Sequence, residues 1–365
     1  MFSEKDLQTL MEHSNQGQVL SVYLNTNPAE VNTEAAKLKL RNLLKTVDLP
    51  KDSQAVETYF DFEYDWAARG LAIFSDQDAD FFQAYQFGVS VPDRAFFGDR
   101  PVIRPLAYLG DAFKGWGAVI VDMQGARLFT YNYGILDEFT GISGDDVKQT
   151  KRGGGNAMPG RMGGANTSAK VENVIDRNIK EVIGTTTTFF SRHHIRRIMM
   201  GGSEETIARF MEELPKAWQS LVVGEFPMSM TANHQDVQTQ AETVALATHQ
   251  RIVSTLVDQA ITLAAKGANG VIGLIDTLNA IHEGRVKTVL VLQDFEQPGY
   301  RCAGCGYLTV QSLETCPFCQ GSFNQIRSAV EEAVHETIRK NAEVKVIADC
   351  QTLEDAGSIA AILRY

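Results

Sequence analysis

The first third of the chain alternates between helical and strand-like spacing of its apolar residues. The segment Glu4–His13 has the pattern of a short helix, and the apolar run Val19–Leu24 predicts a buried strand. An amphipathic helix follows, because apolar residues recur near the helical period at Ala35, Leu38, Leu40, Leu43, Leu44 and Val47. Between Arg69 and Leu109, the segments GLAIF, DFFQAYQF and PVIRPLAYL predict strands separated by turns. These elements indicate an α/β domain over residues 1–111.

The middle third begins with the pattern of a β-hairpin and continues as alternating helix and strand. Four elements are predicted: strands at Trp116–Val121 and Ala126–Tyr131, a helix at Lys170–Phe190 and a buried strand at Ile195–Met200. Ser203 is a suitable N-cap for a further helix. An open stretch, Gly141–Ala169, separates the hairpin from the long helix. This alternation predicts a second α/β layer over residues 112–233.

The last third predicts a sheet covered by helices on both sides. Its elements are helices at Asp236–Ala265, Leu274–Glu283 and Ser328–Asn341, and strands at Val286–Leu292, Val344–Ala348 and Ile359–Leu363. Gly284 ends the second helix, where a glycine is favoured at the C′ position. We therefore expect an α/β/α domain over residues 234–365, with a cysteine-rich insertion at residues 300–323.

Composition places the chain among ordinary globular proteins and limits the classes of partner that it is expected to bind. It has 365 residues, of which 44% are hydrophobic and 22% charged, enough for two or three domains. No apolar run approaches the ~20 residues of a membrane span, and the first twenty residues lack a secretory apolar region. The formal charge of −11 argues against a protein that coats DNA, but permits RNA contact through a local basic patch. We expect a cytoplasmic protein that binds neither membrane nor DNA.

Four of the five cysteines form the strongest chemical signal in the sequence. Cys302 and Cys305 make one Cys-x2-Cys pair, and Cys316 and Cys319 make a second pair ten residues further on. Two such turns supply four thiolates to one tetrahedral metal, and this spacing fits a zinc ribbon far better than a redox pair. All four ligands are cysteines, which predicts a closed, structural Zn²⁺ site. Cys350 lies in a predicted strand and is interpreted as a small buried apolar residue.

A glycine-rich segment, residues 151–170, is positively charged, whereas the chain as a whole is negatively charged. Its sequence, KRGGGNAMPGRMGGANTSAK, contains six glycines, four cations and no acid. Glycines permit close backbone approach to a ligand, and the cations favour a polyanion. The predicted RNA-binding residues are Lys151, Arg152, Arg161 and Lys170. Two interpretations remain open: a flexible surface loop without a specific role, or an arm that becomes ordered in an RNA-lined site.

Two other groups of residues permit alternative functions. His193 and His194 lie beside Arg192, Arg196 and Arg197, a pattern that favours a solvated or RNA-facing helix end over a metal pair. Asp122, with Asp145 and Asp146, is a candidate carboxylate metal site for cleavage of phosphodiesters. However, Asp122 precedes Met-Gln-Gly, an ordinary hairpin turn, which makes a nuclease the weakest alternative.

The order of features along the chain resembles archaeal and eukaryotic class-1 peptide chain release factors and their relative Pelota. Several segments resemble domain three of that family: GLIDTLNAIHEGRVKTVLVLQDF, the knuckles YRCAGCG and CPFCQG, and the ending SIAAILRY. The middle third resembles the family's ribonuclease-H-like domain two, with its hairpin, basic glycine-rich loop, long helix and Gly-Gly strand end. The first third resembles the N domain of the bacterial group in this superfamily. The resemblance implies a three-domain α/β protein.

Two departures limit what the resemblance implies. Release factors carry a Gly-Gly-Gln motif in the loop, whereas the nearest matches here are Gly154-Gly155-Asn156 and, less directly, Gly163, Gly164 and Asn166. Asparagine keeps the carboxamide but is one methylene shorter, and an error of ~1 Å can cost ~100-fold in rate. The family's stop-codon-reading Asn-Ile-Lys-Ser motif is also absent from this sequence. Decoding of stop codons is therefore not expected.

The resemblance implies a ribosome-associated factor that binds the A site without reading a stop codon, in hibernation, surveillance or rescue. Domain two would direct the loop toward the tRNA acceptor end, while domain three would contact ribosomal RNA, ribosomal protein or a translational GTPase. Peptidyl-tRNA hydrolysis by a backbone amide near Asn156 or Asn166 is the alternative. The missing glutamine favours a binding factor over that enzyme.

Overall fold

The computed structural model describes residues 2–14, 19–143 and 164–365, and these form two compact units. Unit 1 joins Met1–Ala112 to His249–Tyr365, and unit 2 is Phe113–Thr248. Both units combine helices with sheets, so the predicted α/β class is confirmed. The finer division into three domains at 1–111, 112–233 and 234–365 stays a prediction.

The N-terminal segment of unit 1 is a four-stranded antiparallel sheet with two helices packed on one face. Its elements are α1 Glu4–Glu12, β1 Val19–Asn25, α2 Thr33–Leu44, α3 Pro50–Phe62, β2 Gly70–Asp76, β3 Phe81–Phe87, β4 Arg94–Gly98 and α4 Arg104–Phe113. The strands lie in the order β3-β2-β1-β4. Leu40 of α2 and Phe60 of α3 pack against Val22 and Ile73 of the central strands. The apolar run that predicted β1 thus supplies part of this core.

The segment PVIRPLAYL was predicted to be a strand, and that prediction is wrong. Residues from Arg104 onward form helix α4, with Pro105 as its second residue. A proline in the first helical turn costs nothing, because the backbone N–H that it lacks has no partner inside the helix anyway. Helix α3 and strand β4 were not predicted at all.

Unit 2 is built on a five-stranded mixed sheet. Its elements are β5 Trp116–Val121, β6 Gly125–Asn132, β7 Ile135–Ser143, α5 Gly164–Arg192, β8 Arg197–Gly202, α6 Glu204–Glu213, α7 Lys216–Gln219, β9 Val222–Pro227 and the first part of α8 His234–Ala265. The strand order is β7-β6-β5-β8-β9; β6 is antiparallel to its neighbours, and β8 is parallel to β5 and β9. This is the expected ribonuclease-H-like arrangement.

Helices α5 and α6 bury their apolar faces on this sheet. Ile179 and Val182 of α5 and Phe210 of α6 pack against Leu128 and Met200 of the strands. Ser203 caps α6, and its hydroxyl accepts a hydrogen bond from the Thr206 N–H, as predicted. Helix α5 begins at Gly164, earlier than the predicted Lys170.

The C-terminal segment of unit 1 is a four-stranded sheet between two helical layers. Its elements are the rest of α8, β10 Gly270–Ile272, α9 Leu274–His282, β11 Val286–Leu292, β12 Gly299–Cys302, β13 Leu308–Thr309, β14 Phe323–Ile326, α10 Ala329–Arg339, β15 Glu343–Ile347, α11 Gln351–Asp355 and β16 Ile359–Leu363. The main sheet has the order β10-β16-β11-β15, and β12–β14 form a separate three-stranded sheet. Gly284 follows α9 with a φ of 72°, the left-handed conformation expected of a C′ glycine.

Successive residues of β11 serve opposite faces of this sheet. Leu290 and Leu292 pack against Val257 of α8 and Leu353 of α11. The alternate residue Val291 is also fully buried, and helices α9 and α10 contact the strands on that side. The predicted α/β/α arrangement is confirmed.

One buried arginine joins the two segments of unit 1. The side chain of Arg104 is 1% exposed, and its Nε donates to Glu331 Oε2 at 2.8 Å. Its Nη1 donates to the carbonyl oxygens of Phe295 at 2.6 Å and Gln293 at 3.3 Å, and Nη2 pairs with Glu296. A buried charge needs this full set of partners, because removing water from an ion costs several kcal/mol.

Further contacts near Arg104 join the same two segments of unit 1. The Ile103 N–H donates to the other Glu331 oxygen at 2.6 Å, and His335 Nε2 lies 2.9 Å from the Pro101 carbonyl oxygen. The Arg327 guanidinium sits 3.9 Å from the centre of the Phe97 ring.

None of the helices in the described part of the chain has the length and apolar character needed to span a membrane.

Replacing Arg104 by Ala is expected to destabilise unit 1 by about 3–5 kcal/mol, since Glu331 would be left buried without its cation. The measurement is hydrogen exchange of the β1 and β11 amides in the native protein. The matched control is Arg94→Ala, because Arg94 pairs with Asp294 across the same two segments but both side chains are exposed, 45% and 65%. We expect that variant to lose less than about 1 kcal/mol. Equal losses in both variants would contradict the role assigned to Arg104.

Candidate functional site

The four predicted cysteine ligands converge in the small sheet formed by β12, β13 and β14, which we call the cysteine ribbon (residues 299–326). Their sulfur atoms all lie within 4.8 Å of one another. Cys302 Sγ is 3.4 Å from Cys319 Sγ, and Cys305 Sγ is 3.6 Å from Cys316 Sγ. The predicted grouping of the four residues is confirmed.

Two tight turns hold these sulfurs in place. In the first, the Gly306 N–H donates to the Cys302 carbonyl at 3.0 Å, and Gly306 has a φ of 76°. In the second, the Gln320 N–H donates to the Cys316 carbonyl at 2.9 Å. A Cβ at Gly304 would lie 2.9 Å from Cys319 Sγ, so only glycine leaves room for that sulfur. The glycine spacing seen in the sequence is therefore a packing requirement of the cluster.

The donor set fits a soft, tetrahedral metal ion. Four thiolates at the usual Zn–S distance of about 2.3 Å lie roughly 3.8 Å apart, close to the separations found here. The backbone N–H groups of Cys305 and Gly304 point at the Cys302 sulfur and lower the pKa of that thiol to about 6. Burial raises the pKa of the neighbouring Cys305 thiol to about 12, so that cysteine would lose its proton only when a metal binds, because metals bind the thiolate form. The four cysteines could hold one metal ion with no position left for a substrate.

Side chains of the cysteine ribbon attach it to helices α9 and α10. The Tyr307 hydroxyl donates to Asn279 Oδ1 at 2.7 Å, and the rings of Phe318 and His282 lie 4.4 Å apart. Arg301 donates to Glu332 at 2.9 Å. Desolvation by burial lowers the pKa of His282, which keeps this ring neutral within the aromatic group. The cysteine ribbon is thus fixed to its domain by both apolar and charged contacts.

The nuclease alternative gains no support from the position of Asp122. Its Oδ1 accepts from the backbone N–H groups of Gln124 and Gly125, each at 2.8 Å, so the side chain stabilises the β5–β6 turn. This is the interpretation made from the sequence. Across residues 2–14, 19–143 and 164–365, the cysteine cluster is the only group of three or more His, Cys, Asp or Glu ligands. Asp145 and Asp146 lie outside the described residues.

Most of the predicted RNA-binding and catalytic loop falls outside the residues that the structure describes. This applies to Lys151, Arg152, Gly154, Gly155, Asn156, Arg161 and Gly163. Gly164 begins helix α5, and Asn166 and Lys170 belong to the first turns of that helix. The loop roles of all these residues stay predictions. Along the chain, the segment follows β7, which ends at Ser143, and its last residues lie in α5.

At its other end, α5 finishes in a motif that exposes several cations. The Ile195 N–H donates to the Phe190 carbonyl at 3.0 Å, the His194 N–H donates to the Ser191 carbonyl at 3.1 Å, and His194 has a φ of 55°. These two bonds and the left-handed residue define a Schellman C-cap, here with histidine where glycine is usual. Arg192 pairs with Glu138 of β7. The sequence singled out this basic group, but not the cap that arranges it.

Comparison with known proteins finds a family match over the middle of the chain. The sequence model described as bacterial archaeo-eukaryotic release factor family 10 matches residues 101–246, which contain nearly all of unit 2. The resemblance to a bacterial branch of the superfamily, stated from the sequence, is confirmed by this match. No curated protein matches the chain.

Solved structures similar to this chain are distant. An archaeal translation termination factor, aRF1, is 15% identical, with 99% of this chain and 96% of that chain covered and a TM-score of 0.27. A model of ribosome-bound archaeal Pelota and ABCE1 is 14% identical, with 78% of this chain and 72% of that chain covered and a TM-score of 0.42. Dom34 of S. cerevisiae, a translation termination-like factor interacting with Hbs1, is 9% identical over 99% and 93%, also at 0.42.

Proposed function

We propose that the protein is a cytoplasmic, ribosome-associated factor that binds the A site independently of a stop codon, in hibernation, surveillance or rescue. The observation that carries this proposal is the release factor family match over residues 101–246. It is supported by the basic glycine-rich sequence of residues 151–170, which lies along the chain between the end of β7 and the first turns of α5. The absence of an Asn-Ile-Lys-Ser sequence favours binding without stop-codon decoding.

In this proposal the loop and the C-terminal domain contact different partners. Lys151, Arg152, Arg161 and Lys170 bind RNA near the tRNA acceptor end, where their charges replace counterions on the phosphates. Residues 234–365 contact ribosomal RNA or a translational GTPase. The cysteine ribbon, fixed to α9 and α10, gives that contact a rigid surface.

We also propose that the metal is Zn²⁺ and that its role is structural. Four thiolates in two Cys-x2-Cys turns are the ligand set of closed zinc sites, which stabilise small domains that lack a core of their own. Among the described residues, one partly buried apolar residue, Phe323, packs against the buried cluster of Cys302, Tyr307 and Cys316. So small an apolar cluster explains why the cysteine ribbon would depend on metal.

Peptidyl-tRNA hydrolysis is the second candidate function, supported by the Gly-Gly-Asn sequence at residues 154–156. A backbone amide near Asn156 or Asn166 would then stabilise the charge that develops on the ester carbonyl. Asn156 stands where glutamine is expected, and its shorter side chain reaches less far toward an attacking water. We therefore favour a binding factor over an enzyme.

The purified protein should contain about one equivalent of zinc, and Cys305→Ser should lose most of it because three thiolates leave the tetrahedron open. Elemental analysis gives the metal content, and limited proteolysis reports the stability of residues 299–326. Cys350→Ser is the control, because Cys350 lies outside the cluster and packs beside Leu353 instead. Zinc near zero in the reduced parent protein, or an equal loss in both variants, would contradict the assignment.

Ribosome binding should weaken with salt and with loss of loop charge. We expect the double variant Arg152→Ala, Arg161→Ala to bind salt-washed ribosomes roughly tenfold or more weakly, with a smaller dependence on salt concentration. Co-sedimentation with purified ribosomes measures the affinity. Lys5→Ala with Lys45→Ala removes the same number of charges from exposed helix ends in the N-terminal segment and serves as the control. Parent protein that does not sediment with ribosomes would reject the proposed function.

Release of labelled peptide from A-site-vacant ribosomes should be slow or absent in a single-turnover assay. The shortened carboxamide is poorly placed to orient water against the ester, so Asn156→Ala and Asn166→Ala should resemble the parent. A bacterial or archaeal release factor acting on programmed ribosomes is the positive control. Rapid release that collapses in either variant would overturn this choice and establish a peptidyl-tRNA hydrolase.

A further inference from the structure

We propose that unit 2 carries a second RNA-binding surface at the C-terminal end of α5, separate from the glycine-rich loop. This surface, called here the basic end, consists of Lys114, Arg192, His194, Arg196 and Arg197. Its ligand is the phosphate backbone of RNA. The identity of that RNA as ribosomal rests on the proposed function, whereas the affinity for an RNA backbone does not.

The charge of the basic end is concentrated and only partly neutralised. Residues 192–197, RHHIRR, contain three arginines and no acid in a chain whose formal charge is −11. The acids of β7 pair with its first residues: Glu138 contacts Arg192, and His193 Nε2 lies 3.2 Å from the same carboxylate. Arg196 is exposed and forms no ion pair with a described residue. Its guanidinium is therefore available to an external anion.

The backbone holds these cations on a fixed platform. The C-cap of α5 turns the chain at His194, so that Ile195 is buried and Arg196 faces solvent. Arg197 begins β8 and is paired in register with Trp116 of the parallel strand β5. Its Nη2 donates to the Lys114 carbonyl at 2.5 Å, which brings the segment before β5 to the same edge of the sheet. Cations on a preformed edge lose little entropy when they bind.

The chemistry of the basic end favours RNA over a protein partner. Protein interfaces contain an apolar centre, but the exposed large apolar side chains of the described residues include none from this surface. Phosphate backbones instead require cationic hydrogen-bond donors, and the planar guanidinium matches phosphate oxygens in pairs. Arg196, which is exposed, meets that requirement, and the charges of Arg192 and Arg197 lie beside it.

The basic end lies a whole helix away from the first residue of α5. A helix of 29 residues is about 43 Å long. A single cluster of phosphates does not span that distance. The two ends of α5 would therefore contact different parts of an RNA, which makes their contributions to binding separable.

The test measures binding of the full-length protein to a 20-base-pair RNA duplex at several salt concentrations. We expect Arg196→Glu to bind about tenfold or more weakly and to reduce the slope of log affinity against log salt by about one, whereas Arg196→Lys retains most binding. The matched control is Arg251→Glu, an exposed α8 position in unit 1, which makes the same charge change. It should bind within about twofold of the parent, and circular dichroism should be unchanged in all variants.

Equal duplex binding by the parent and Arg196→Glu, or no binding by the parent, would overturn the inference. Loss of ribosome binding in Arg196→Glu without loss of duplex binding would also overturn it, since the surface would then recognise protein. Ribosome binding by the parent is scored separately. If the parent protein does not bind ribosomes but Arg196→Glu still weakens duplex binding, the proposed function is rejected and the inference of an RNA-binding surface is retained.

Discussion

The buried guanidinium of Arg104 is the contact on which unit 1 depends, because it joins segments 227 residues apart in sequence. Its charge is compensated by Glu331 on α10 and by two carbonyl groups at the end of β11. Those carbonyls, at Gln293 and Phe295, precede the cysteine ribbon. One side chain therefore fixes the N-terminal sheet, helix α10 and the base of the cysteine ribbon relative to one another.

Local sequence pattern predicted most elements, but not this contact. Strands β5 and β11 and helix α9 were predicted to within one residue at each end, since their apolar spacing is regular and Gly284 marks the helix end. The α4 segment was missed because two prolines in nine residues outweighed its helical spacing. The partner of Arg104 could not be predicted, because nothing in the residues around it indicates a carboxylate so distant in sequence.

In the candidate site, too, the features set by short-range sequence pattern were predicted and the others were not. A Cys-x2-Cys turn is a short-range device, so the spacing of the cysteines was sufficient to predict their convergence. The basic end was visible in composition, but its exposure depends on the left-handed cap at His194, a conformation that favours glycine or asparagine. The loop roles depend on an external RNA surface. No intramolecular pattern can specify that geometry, which is why the resemblance, and not periodicity, suggested it.

The division of unit 1 into two segments of sequence also sets an order for folding during synthesis. Unit 2 is continuous from Phe113 to Thr248, so its sheet can form as soon as that stretch has left the exit tunnel. The first segment is made earlier but acquires Glu331 only when the last tenth of the chain emerges. Until then, a buried arginine has no carboxylate. A nascent chain interrupted before that point keeps an N-terminal segment without its C-terminal partner, which proteases can distinguish from the complete protein.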